Sequence, residues 1–254
     1  MNTNTKKQNR EENDMSFLSQ YAGQGLEDMA GSAVAVPYLA MVQPGSQATV
    51  DGIEAGHWRN SATNQDYGET LRVIVLDFKR VWAEKSGDGD GMTVARYIPG
   101  SVPVEYKQPP KGKKGFPTMI NPDSGNEIQE QFIYVLLLAD HPEDGYLMFN
   151  PAVGNMKVCR SWNSRIRGQV MPVEDANGNT VSAQAPSFAF VWNIGIQMIQ
   201  NPRKPAEQIG RLSIIGREGL VDEGLFGTAI QPKLQSAKNE LLAITNNESD
   251  ADNE

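Results

Sequence analysis

The chain has 254 residues, a net charge of −8, 39% hydrophobic residues and one cysteine, Cys159. Such a length holds one large domain or two small ones. No apolar run approaches the ~18 residues of a membrane helix. A lone cysteine forms no internal disulfide and suits a reducing compartment. The acidic balance argues against a partner that seeks a basic surface.

Residues 1–14 are polar and lack the apolar core of a secretory signal. A cytoplasmic protein is expected. Residues 1–33 read as a disordered leader with one short helix. Phe17, Leu18 and Tyr21 stand at helical spacing there until Gly23 and Gly25 end it. Order is expected from Val34, with an apolar element through Val42 closed by Pro44-Gly45.

His57-Trp58-Arg59-Asn60 leads into a polar loop through Tyr67-Gly68. Leu71 to Trp82 is a strand centred on Val73, Ile74, Val75 and Leu76. Gly87 to Gly91 turns the chain and Met92 to Ile98 returns as its partner. Pro99 to Pro122, rich in Pro, Gly and Lys, reads as one long surface loop. Gln131 to Ala139 is apolar at every position from Phe132 to Leu138, the mark of a strand buried on both faces. His141 to Gly145 turns it into Tyr146-Leu147-Met148-Phe149.

Pro151 is placed to start a helix in which Cys159, Trp162 and Ile166 share one face. Asp175 to Asn179 has the composition of a hairpin turn. Phe188, Phe190, Trp192, Ile194, Ile196 and Met198 alternate with smaller or polar residues, giving a long strand with one apolar face. Asn201 to Pro205 turns it, and Arg211 to Ile215 pairs back. Leu234, Ala237, Leu241 and Ile244 line one side of a closing amphipathic helix. The fold class is mainly β with a few short helices, as an OB-like β-barrel or a sandwich with extended loops. The domain is expected over 34–230, a C-terminal helix over 231–245 and a disordered acidic tail over 246–254.

No catalytic motif is recognisable in the sequence. His57 and His141 stand far apart, each in a structural role rather than as one of the close-set ligands zinc chemistry needs. Lys111-Gly112-Lys113-Lys114-Gly115 lacks the context and hydroxyl of a phosphate loop. Asp88 to Gly91 and Asp175 to Asn179 lack the glycine and glutamate of a calcium loop. No cofactor and no metal is expected. A metal nuclease would have to use Asp77 with Glu84 or Asp88.

The charge is unevenly spread. The last nine residues carry four carboxylates and no base, whereas Lys107, Lys111, Lys113 and Lys114 cluster without an acid. Single-stranded nucleic acid is held by a positive groove with aromatic rings on which bases stack. Phe78, Arg80 and Trp82, two apart, share one strand face, with Arg96 and Tyr97 across the hairpin. Lys157, Arg160 and Arg167 fall on about a third of their helix at roughly 100° per residue. The stacking candidates are Phe78, Trp82 and Tyr97. The phosphate candidates are Arg80, Arg96, Lys111, Lys113, Lys114, Lys157, Arg160 and Arg167. A half-buried edge strand and solvated charges account for the same patterns structurally.

Val36 to Pro44, Gly56 to Asn60, Leu71 to Trp82, the helix with Lys157, Arg160 and Trp162, and the late long strand occur in an order that resembles a diverse family of tailed-bacteriophage single-stranded DNA-binding proteins with an OB-type barrel. The resemblance spans about Val34 to Gly216. It implies a non-enzymatic role in phage replication or recombination, coating exposed strands without sequence preference. The acidic tail would recruit partner proteins, and no membrane is involved. It assigns no individual DNA contact. The rival reading is a virion structural or assembly protein, and neither decides DNA against RNA.

Overall fold

The computed structural model describes residues 37–86, 93–102, 118–202 and 204–246. All lie in one of the two units into which the chain divides, Pro37–Glu254. The leader over 1–33, Lys107 to Lys114, Asp88 and residues 247–254 of the tail lie outside the described residues.

In chain order the elements are β1 (Leu39–Met41), α1 (Gln47–Val50), β2 (Trp58–Asn60), β3 (Asp66–Gly68), β4 (Thr70–Lys85), β5 (Thr93–Tyr97), β6 (Thr118–Ile120), β7 (Glu127–Leu138) and β8 (Tyr146–Phe149). Then come α2 (Met156–Arg167), β9 (Val170–Glu174), β10 (Thr180–Gln184), β11 (Phe190–Asn201), β12 (Lys204–Leu220) and α3 (Gln231–Asn246). The mainly β class with few helices holds. Among the described residues no helix is long and apolar enough to cross a membrane.

The main sheet has seven strands in the order β12-β11-β4-β7-β6, with β5 also on β4 and β8 also on β7, all antiparallel. Its spine is the β4–β7 pair, from Val73 opposite Leu138 to Lys85 opposite Glu127. Phe132 to Leu138 are all buried, as an uninterrupted apolar run requires of a central strand. The expected barrel is corrected. Among the described residues the sheet is open, since no pairing joins its ends. β1, β2 and β3 form a small second sheet, and β9 and β10 a separate hairpin.

Three local expectations also change. Thr118 to Ile120 is not loop but strand β6, paired with β7. The helix starts at Met156 rather than Pro151, after a 3₁₀ turn over Val153–Asn155. Phe188 sits in a 3₁₀ turn, Ser187–Ala189, just before β11.

A bulge decides what β4 presents. Register shifts between Val75 and Asp77. Before it, Leu71, Val73 and Val75 point into the core. Beyond it, the even-numbered Phe78, Arg80, Trp82 and Glu84 take over that face, because one extra residue flips the alternation. On this face α2 packs with Cys159, Trp162 and Ile166 buried. Aromatic rings run through the core: Tyr134 stacks on Trp162 at 4.9 Å, and Trp162 meets Trp192 edge-on at 6.2 Å. The helix α3 serves the opposite face. It buries Ala237 and Leu241, and Lys79 on β4 donates to its Leu241 carbonyl.

The outer edge of β12 is occupied by side-chain amides. The Gly210 N–H donates to Gln43 Oε1 and its carbonyl accepts from Gln43 Nε2, while the Leu212 N–H donates to Asn155 Oδ1. A Cβ at Gly210 would stand 2.9 Å from Ile196 and 3.1 Å from the Gln43 amide, so only glycine admits this close approach.

Candidate functional site

Past the bulge, β4 and the facing stretch of β7 form a floor and α2 forms a wall. Phe78 lies opposite Tyr134, Arg80 opposite Phe132 and Trp82 opposite Glu130. Arg160, Asn163, Ser164 and Arg167 stand at i, i+3, i+4 and i+7 on α2, which is one helix face. Together with Phe78, Arg80, Trp82, Glu130 and Phe132 they line an open cleft of about 650 Å³. A second cleft of about 430 Å³ shares Phe78 and Arg167 and runs on past Gln184, Ala185, Pro186 and Ser187. The two form one trough.

Its electrostatics centre on Glu130. This carboxylate is 7% exposed, at the bottom of the cleft. Arg80 Nε donates to its Oε1 at 2.7 Å, and Arg160 Nη2 donates to its Oε2 from the other wall. Both guanidinium side chains stay about half exposed, at 49% and 52%. Each guanidinium carries five N–H donors, more than the bonds to Glu130 use. Arg167 pairs with no carboxylate among the described residues, and its guanidinium lies 5.8 Å from the centre of the Phe78 ring. Arg80 likewise lies 5.7 Å from that of Trp82. Three arginines against one carboxylate give the cleft a positive excess on an acidic protein.

The floor is rigid. Phe78 stacks on Tyr134 at 5.8 Å, which joins it to the core stack. The Tyr134 hydroxyl donates to Asn163 Oδ1 at 2.8 Å and so orients that amide. A positive, aromatic-floored trough suits an anion that carries flat rings.

Of the residues expected from sequence, Phe78, Arg80, Trp82, Arg160 and Arg167 meet here. Tyr97 pairs with Trp82 and shares its sheet face, but its hydroxyl donates to Glu84. Arg96 pairs with Ala83 and so belongs to the opposite face, beside Lys85, away from the trough. Lys157 is exposed on α2 but does not line the cleft. Lys111, Lys113 and Lys114 lie outside the described residues. Sequence reasoning missed Glu130, Phe132, Asn163 and Ser164. Glu130 did leave a signal, an acid two residues before an unbroken apolar run.

Other polar groups have structural roles. Glu84 accepts from Asn126, Tyr97, Ser124 and Asn121. Burial pushes its carboxyl up, but these donors outweigh that and hold it below the usual carboxylate range. Among the described residues no group of three or more His, Cys, Asp or Glu is placed to hold a metal. Cys159 is buried, and burial pushes its thiol up to about 12. His57 binds Asp66 at 2.9 Å, and the His141 ring tilts against Tyr67.

A family model described as Pam3 phage gp34-like protein matches residues 6–226. No curated protein matches the chain, and no solved structure does.

Proposed function

The chain belongs to the Pam3 phage gp34-like family, and from that premise we propose that it binds single-stranded DNA without sequence preference during phage replication or recombination. The observation that carries this reading is the meeting of Phe78, Arg80 and Trp82 on one strand with Arg160 and Arg167 on one helix, across a single trough. Phosphates would take the outward guanidinium donors, which form strong charge-assisted hydrogen bonds. Bases would stack on Trp82 and Phe78, displacing Arg80 and Arg167 from those rings toward the phosphates. The acidic tail would recruit partner proteins. The OB-type relationship belongs to the same proposal and rests on the resemblance. Nothing in the binding scheme needs a closed barrel.

The test is fluorescence anisotropy of a labelled oligo-dT at several salt concentrations, against duplex of equal length. Salt-sensitive binding that prefers the single strand is expected, with a log–log slope of about −0.7 per phosphate neutralised. Trp82→Ala should weaken it roughly 5- to 150-fold, as loss of a stacked base worth ~1–3 kcal/mol requires. Absence of binding at low salt, with the tail intact and with it removed, would overturn the reading. It would move the weight to a virion structural or assembly protein.

A further inference from the structure

We propose that Glu130 is a built-in counter-anion of the trough, a positioning residue that acts through Arg80 and Arg160 and holds the affinity for single strands down. This rests on the single-strand reading above.

The argument starts from placement. A carboxylate is a poor resident for a phosphate groove, because it repels the ligand and occupies its donors. Glu130 nevertheless lies at the bottom of the cleft, 7% exposed, in a β-strand that is apolar from Phe132 onward. It receives Arg80 from β4 and Arg160 from α2, so one carboxylate is shared between floor and wall. A phosphate arriving above meets two guanidinium groups already half neutralised from below. It cannot displace Glu130, which is fixed by the strand, and must share the arginines with it. Arg167, with no carboxylate partner among the described residues, offers its full charge. The trough is therefore graded, with one strong phosphate anchor at Arg167 and two attenuated ones. A strand held this way is easily passed on, which suits a binding protein whose ligand must be surrendered to the enzymes that act on it.

The grading makes opposite predictions for neighbouring charges. Glu130→Gln keeps the volume and removes the charge. It should tighten binding to oligo-dT and steepen the salt slope by about 0.7, the increment for one further phosphate. The same increment amounts to roughly fivefold in affinity at 0.1 M salt. Glu130→Asp keeps the charge and should not tighten binding. A merely structural role for Glu130 predicts weaker binding and a flatter slope in both variants.

A second comparison avoids the buried position. Arg160 and Arg167 are both exposed on α2. Arg167→Gln should cost clearly more affinity than Arg160→Gln. Wild-type binding with no tightening in Glu130→Gln, or with Arg160→Gln costing as much as Arg167→Gln, overturns the counter-anion while leaving the single-strand reading in place. Absence of binding by the wild type overturns both.

Discussion

Glu84→Gln is the sharpest test of how the sheet is fastened. Glu84 is 3% exposed and receives Asn126 at 2.8 Å, Tyr97 at 2.8 Å, Ser124 at 2.9 Å and Asn121 at 3.0 Å. These donors come from β5 and from the 121–126 turn between β6 and β7, so one carboxylate ties that turn and β5 to β4. Glutamine exchanges one acceptor oxygen for an NH₂ donor. That sets donor against donor at one or two of the four bonds and removes charge assistance from the rest. A hydrogen bond to a charged group contributes about 1.5–3 kcal/mol, and an unsatisfied buried group costs about 1–3. A destabilisation of about 3 kcal/mol follows. For a domain of this size each kcal/mol moves Tm by about 2–4 °C, so Tm should fall by roughly 10 °C at pH 7 in a thermal melt.

The pH dependence has a definite sign. The folded carboxyl titrates below its usual range. Its contribution is therefore present above the ordinary Glu value of about 4.3 and is lost as pH falls through the lower folded value. The gap between wild type and variant should narrow in acid. A gap under about 2 °C at pH 7, or one that widens on acidification, would refute the reasoning.

Three further outcomes are expected. Asp66 raises the His57 imidazole above its ordinary value, chiefly through the hydrogen bond, with burial opposing. The pair's stabilisation is therefore complete below about pH 6.5 and lost as pH rises through the raised value. His57→Ala should then lower Tm more at pH 5.5 than at pH 8.5, and equal losses would refute this. Cys159, buried with its thiol at about 12, should resist a thiol reagent in the native protein at pH 8 and react once unfolded. Fast native labelling would contradict its burial. Trp162→Ala, which removes a buried ring packed on Tyr134 and Trp192, should cost about 3–5 kcal/mol in denaturant unfolding. A loss below about 1 kcal/mol would show that the stack is not what holds α2 to the sheet.

Much of the frame was legible because burial writes a period into the sequence. The unbroken run from Phe132 to Leu138 marked the central strand, and Cys159, Trp162 and Ile166 marked the inner face of α2. The shared face of Phe78, Arg80 and Trp82 could also be read from spacing two. What could not be read was which face that is. The bulge between Val75 and Asp77 has no strong local signature, yet it places these residues where Val73 and Val75 alone would predict the other side. Glu130 was invisible as a partner of Arg80 and Arg160 because it meets them only through strand register and helix packing. β6 was hidden for a related reason. Three residues in a Pro- and Lys-rich stretch become a strand only when β7 supplies the pairing.

The amides of Gln43 and Asn155 have a consequence beyond the hydrogen bonds they satisfy. β12 is a 17-residue strand at the border of the sheet, and a long border strand is a template on which another chain can add itself. With Gly210 and Leu212 already taken, a second molecule approaching that border finds the middle of the template spoken for. Strand addition is then confined to the stretches on either side of those two residues, which shortens the template that a neighbouring copy could use.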